Sequence, residues 1–223
     1  MKAFALILPI SALAVSACTY STHGPAEHRS VESAGMVASK TVHVGGDAEF
    51  AGMFVRADGE VGDDLSLEGM SVRSNADVGG DLYAAGARIR FTGSVAGRAR
   101  VEGALIHLDG QFGERLEVTG ARMTIDGRVE GESRIHGARM ELRARFEGPV
   151  TVIGEGTNDE GNGRAILSGY FAEPLTVCAA EIDIERSAHF AGGLTLITDD
   201  RVANMPGDAT LEALNGRDCE RVL

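Results

Sequence analysis

The side chains able to do chemistry in this chain are few, and their spacing argues mostly against catalysis. Its six histidines, His23, His28, His43, His107, His136 and His189, form no ligand pair in sequence, and His107 and His136 read as solvated side chains. No GxSxG, HExxH, P-loop or CxxC occurs, so the ordinary nucleophile, zinc and phosphate signals are missing. Carboxylates offer more. Asp47, Asp63, Asp64 and Asp81 fall at recurrent turns, and residues 158–162 read NDEGN. Either group carries oxygen ligands suited to a hard cation, but acidic turn residues ordinarily serve the turn itself. No metal and no cofactor is expected. A basic set also recurs: Arg88, Arg122 and Arg139 are separated by two periods and one period of 17 residues. They define either a binding stripe for an acidic partner or, more simply, a solvated face.

That period dominates the chain. Gly35, Gly52, Gly69, Gly86, Gly103, Gly120, Gly137 and Gly154 are spaced 17 apart, and Val44, Val61, Val78, Val95, Phe112, Val129 and Phe146 march with them. Two columns locked to one spacing mean one structural unit copied many times. With the Val/Phe column as position 1, apolar residues recur at positions 5 and 7 (Leu82, Val101, Leu116, Val118) and at 12 and 14 (Ile89, Phe91, Ile106, Leu108). Pairs two apart have the period of a strand with one face buried. Glycines near positions 3, 9 and 16 fall between the pairs, where turns that favour positive φ are expected. The pattern predicts an all-β fold: a single-stranded β-helix solenoid with triangular coils of about 17 residues, three short strands and three turns to each. It covers residues 31–198 in eight to nine coils, with Val31–His43 as a weak first coil or cap. At about 4.8 Å per coil the rod is about 40 Å long.

The ends differ from the body. Residues 1–17 have one basic residue, an apolar run from Phe4 to Val15 and small residues before a cut site, the composition of a secretory signal peptide. The run is short for a membrane span. Val15-Ser16-Ala17-Cys18 resembles the lipobox of bacterial lipoproteins, which implies lipidation of Cys18 and stable attachment to a membrane. Residues 18–30 are polar and patternless, a flexible tether. The period breaks after Gly154, so 155–170 reads as an inserted loop, and 199–223 as a cap or tail with a short helix at Ala209–Leu214. Cys178 and Cys219 remain, either as a disulfide clipping the tail to the last coils or as two free thiols.

The net charge of −12 is unevenly spread: from Arg88 to Glu147 there are eleven basic and nine acidic residues, so the excess acid lies outside the middle. No partner in nucleic acid is expected, because neutralising phosphate needs concentrated Lys and Arg. The absence of Trp argues against an aromatic sugar platform.

Coils written V-x-G-x-L-x-V-x-G-A-x-I-x-L-x-G, best developed over Val78–Gly148, resemble the bactofilin-like, polymer-forming cytoskeletal proteins of bacteria. The resemblance implies a right-handed β-helix that self-associates end to end without nucleotide. The export signal places any such assembly in the cell envelope, on the periplasmic face, not in the cytoplasm. The expectation is a non-catalytic structural or scaffolding envelope lipoprotein, anchored to the membrane through Cys18. The alternative is a binding module for an envelope polymer or protein. A polysaccharide-acting enzyme ranks third, because the central coils lack the long loops that build a cleft.

Overall fold

The computed structural model describes residues 19–23, 30–155, 163–215 and 219–221. The signal peptide, Cys18 and the NDEGN stretch lie outside the described residues.

Strand-forming pairs of apolar residues, repeated at one spacing, can bury their shared face only by stacking coil on coil. The structure does this. After β1 (Thr19–His23) come β2 (Ser30–Val44), β3 (Ala48–Val61), β4 (Leu65–Val78), β5 (Leu82–Val95), β6 (Arg98–Phe112) and β7 (Arg115–Val129). Then follow β8 (Glu132–Leu142), β9 (Arg145–Phe146), β10 (Val150–Gly154), β11 (Arg164–Leu167), β12 (Tyr170–Phe171), β13 (Leu175–Cys178), β14 (Glu181–Ile184), β15 (His189–Phe190), β16 (Leu194–Ile197) and β17 (Thr210–Glu212). From β2 to β8 each strand pairs in parallel with the next at an offset of 17, as in Gly69↔Gly86 and Val72↔Ile89. The result is a parallel β-solenoid of about ten turns, where the sequence suggested eight or nine. At about 4.8 Å per step it is about 43 Å long.

Three short strands per coil are not what forms in the body. β3 to β7 each run 14 or 15 residues through two corners, and only the turn at positions 2–4 interrupts them. The ladder skips one residue at position 10 (Met53, Met70) and resumes, because an extended chain can bend there while its neighbours keep their hydrogen bonds. In the body, separate short strands appear only after Leu142, one coil before the 17-residue period breaks at Gly154. The coil then has three faces: positions 5–9 (β10, β13, β16 in the last coils), positions 11–15 (β11, β14), and positions 17 and 1 (β9, β12, β15).

The interior is built from the predicted columns. Leu65, Leu67, Ile89, Phe91, Leu108, Phe112, Leu116, Met123 and Ile125 are all buried. In the last coils Phe146, Phe171 and Phe190 stack at 5.2 and 5.3 Å between ring centres, offering aromatic contact where coil spacing is fixed by the backbone. Among the described residues two core positions carry a defect: the hydroxyls of Ser74 and Ser133 are buried without a hydrogen-bond partner there. Ser133 sits between Leu116 and Val150 in its column. Ser133→Ala is expected to raise stability by about 1 kcal/mol, because it removes an unsatisfied donor and leaves no large void. In a chain of this size that is about 2–4 °C in Tm, readable by circular dichroism.

The column glycines have a different role from the one anticipated. At position 9 the backbone φ is not positive; a Cβ on Gly69 would instead stand 2.5 Å from the carbonyl oxygen of Gly52, the glycine one coil below. Close approach of stacked backbones excludes a side chain there. Positive φ occurs at position 16 instead, at Gly59, Gly93 and Gly127.

Both ends are covered on the first face. β1 pairs antiparallel with Ser30–Ala34, so Thr19–His23 is part of the sheet and not part of a flexible tether. Val31, Ala38 and Val42 are buried, which makes β2 a full first coil. At the other end β17 adds in parallel to β16, a strand where a short helix was expected; helical propensity there yields to an unpaired edge. Val202 and Ala209 pack beneath the core, and Asn204 Nδ2 donates to the carbonyl of Ile184. Arg164–Leu167 also rejoins the sheet, pairing β11 with β8, so the insertion is shorter than 155–170. Cys178 and Cys219 are bonded, with Cα atoms 5.5 Å apart. With Ile197, Leu214 and the flank of Ile153 they form a small apolar cluster outside the first face, so the tail is a strap.

Candidate functional site

Outward residues of the second face repeat at positions 11, 13 and 15. Arg88, Arg122 and Arg139 do lie in one column there, with Leu105 between the first two and Arg164 continuing it beyond Arg139. Arg73 and Arg90, in the neighbouring column at position 13, complete a basic field that the three-residue stripe missed. Most other arginines are matched with acids, among them Arg98 with Asp81 at 2.6 Å, Arg115 with Glu132 at 2.7 Å, Arg145 with Glu147 at 2.5 Å, and Arg164 with Asp183. Arg186 and Arg201, outside these two columns, are exposed without an acidic partner among the described residues. Arg73, Arg88, Arg90, Arg122 and Arg139 are exposed and have no acidic partner among the described residues. Asp58, Asp109 and Asp126 stand along the far edge of this face at position 15, while Glu141 in the position-13 column is paired with Arg143, and Glu181 and Asp183 of the last coil lie at Arg164. Ser71, Arg73, Arg88, Arg90, Leu105, His107 and Arg122 line a shallow open depression.

An apolar ridge borders this field at the N-terminal corner. Met36, Met53 and Met70 occupy position 10 of three successive coils, 69%, 43% and 59% exposed, with Phe54 beside them at 51%. Sequence reading passed over them because they lie outside the buried columns. That displacement was the available signal, since an apolar residue at a corner has no interior to enter. Contiguous exposed apolar surface marks an interaction site.

The acidic turn column resolves as a structural ladder. Asp47 Oδ1 accepts the N–H of Asp64 at 3.2 Å, Asp64 Oδ1 that of Asp81 at 2.7 Å, and Asp81 Oδ1 that of Arg98 at 2.8 Å. Each carboxylate satisfies a turn amide one coil further on. The Arg98 backbone N–H, and then its guanidinium, hold the Asp81 carboxyl below the usual carboxylate range. His136 is not simply solvated: it lies beside Glu155 and Glu220 under the strap.

The fold and its faces define the class, a parallel β-solenoid with one basic, partly apolar side. No family model matches the chain, and comparison with curated proteins and with solved structures finds no similar one. Among the described residues no helix is long and apolar enough to cross a membrane.

Proposed function

We propose that this chain is a non-catalytic scaffolding lipoprotein of the bacterial cell envelope, a rigid rod anchored through Cys18 with its second face laid on an anionic membrane surface. The observation that carries this reading is the field of five unpartnered arginines beside the Met36–Met70 ridge, on a chain whose net charge is −12. Thr19 directly follows Cys18 and is paired with Ala34, two residues before Met36. The described chain therefore begins, at Thr19, on the coil that carries Met36. Apolar side chains at the interface and arginines facing anionic headgroups are the two attractions such docking needs. Flat faces support a scaffold: from Ala48 to Val129 every paired residue keeps the 17-residue offset, with no inserted loop. The covered first-face edges at both ends argue for single rods, against the end-to-end polymers that the bactofilin-like repeat style implies.

The body carrying Cys18→Ser should cosediment with phosphatidylglycerol-containing vesicles, more weakly in high salt, and not with phosphatidylcholine vesicles. Reversing Arg88, Arg122 and Arg139 to Glu should weaken capture well beyond about 100-fold, because loss of the three positive charges alone removes about 1 kcal/mol each near an anionic surface and the three added carboxylates repel it. Equal binding to both vesicle types would refute docking through the arginine field on an anionic surface, and binding to neither would refute membrane docking itself. Labelling with radioactive palmitate, lost in Cys18→Ser, tests the anchor; sedimentation equilibrium tests self-association. The depression on the same face favours a second reading, a binding module for an anionic envelope polymer or acidic protein, which the same charge reversal would disable without any vesicle binding in the parent.

A further inference from the structure

Three side chains from separate stretches converge on the outer side of the first face. His136 stands in β8, Glu155 follows β10 one coil further on, and Glu220 lies in the 3₁₀ turn Cys219–Arg221 that the disulfide pins to that face. Their ligand atoms all lie within 4.8 Å of one another. His136 Nε2 is 2.9 Å from Glu155 Oε1 and 3.4 Å from Glu220 Oε1. Close as they are, neither meets that nitrogen with hydrogen-bond geometry: Nε2 is shut off from solvent and has no hydrogen-bond partner among the described residues. A buried ring nitrogen is costly to leave unpaired, so an orphan between two carboxylates points to something that belongs there.

We infer that His136, Glu155 and Glu220 form a three-ligand site for a zinc-class divalent metal ion that clamps the C-terminal strap to the solenoid. One imidazole nitrogen and two carboxylate oxygens, with water in the fourth place, are a donor set for Zn²⁺. Ligands about 2.0–2.1 Å from a tetrahedral ion are about 3.3–3.4 Å from one another. From Nε2, Glu220 Oε1 at 3.4 Å sits at that edge and Glu155 Oε1 at 2.9 Å about 0.4 Å inside it, so an ion is accommodated by a modest outward shift of the Glu155 carboxylate. Calcium is disfavoured, because it takes six or more oxygens and has little use for a nitrogen donor. The site joins segments that meet only in the folded chain, so metal binding stabilises the strap in its docked position. It also gives the strap a second attachment besides the Cys178–Cys219 bond, one that a chelator can remove.

The test is calorimetric titration of the untagged, oxidised chain with Zn²⁺ after exhaustive chelation, alongside thermal melts with and without the ion. One equivalent should bind, Tm should rise with Zn²⁺, and Ca²⁺ should do neither. His136→Ala should weaken binding at least about 100-fold, and Glu220→Gln about 10-fold or more, in line with the sensitivity of metal sites to their ligand sets. Glu220 is largely exposed, so its substitution leaves the fold intact and serves where His136→Ala might perturb β8. A combined His23→Ala, His28→Ala variant should keep full binding. Absence of Zn²⁺ uptake, or uptake unchanged in both His136→Ala and Glu220→Gln, overturns the inference and leaves the cluster as a plain histidine–carboxylate contact.

Discussion

Substituting Gly127 by alanine is expected to lower stability by about 4 kcal/mol, or about 8–16 °C in Tm. Two separate costs add. Gly127 has φ of +92°, a left-handed conformation that costs an L-residue about 1–2 kcal/mol. Its Cβ would also stand 2.7 Å from the backbone nitrogen of Gly110. Forcing extra volume into a packed site costs about 1–3 kcal/mol, and here the obstacle is backbone already committed to the ladder. Gly69→Ala isolates the second cost, since its φ is ordinary, and should lose about 3 kcal/mol. Gly207→Ala, which meets nothing within 4 Å, should stay within about 0.5 kcal/mol of the parent. Equilibrium denaturation of the three variants gives the order. If Gly69→Ala proved as harmless as Gly207→Ala, the coils would be less rigidly stacked than the register implies, and the explanation of the 17-residue glycine column would fail.

Breaking the Cys178–Cys219 bond should release the strap while sparing the body. The bond closes a span of 41 residues, for which the chain-entropy relation gives about 4 kcal/mol at 25 °C. In a solenoid each coil touches only its neighbours, so this loss should be felt locally. In Cys219→Ser, hydrogen exchange should speed up in β16 and β17, whose ladder depends on the strap's position, while amides of β4 to β7 keep their protection. Leu214 and Ile197 would lose the cover they give each other with Cys219. A uniform drop in protection across all coils would instead show that the strap stabilises the whole rod cooperatively. The same variant should bind Zn²⁺ more weakly, since Glu220 is held at His136 through its neighbour Cys219.

The solenoid was legible because its contacts are periodic. Val72 meets Ile89, and Leu108 meets Ile125, through a shift of one repeat, so spacing alone reports which residues touch. The arginine column was visible for the same reason. Its neighbours Arg73 and Arg90 were not, because they share the face but not the column, and adjacency between columns is a matter of pleat and corner geometry. The aspartate ladder shows the converse: the recurrence was plain, but that each carboxylate caps an amide of the next coil depends on side-chain direction. The anticipated helix at Ala209–Leu214 shows where local propensity misleads, since a free sheet edge offers the backbone hydrogen bonds that an isolated turn of helix cannot match.

By itself, then, the sequence determined the coil length, the buried columns and the all-β class, since all of these are consequences of repetition between near neighbours. Tertiary structure alone decided how the rod ends, which arginines lack partners, and that His136 meets Glu155 and Glu220. Those meetings join segments that share no period, brought together by a disulfide, an interrupted coil and a returning tail. A repeat can announce its own stacking, but what crosses it from outside the repeat depends on where the folded chain returns.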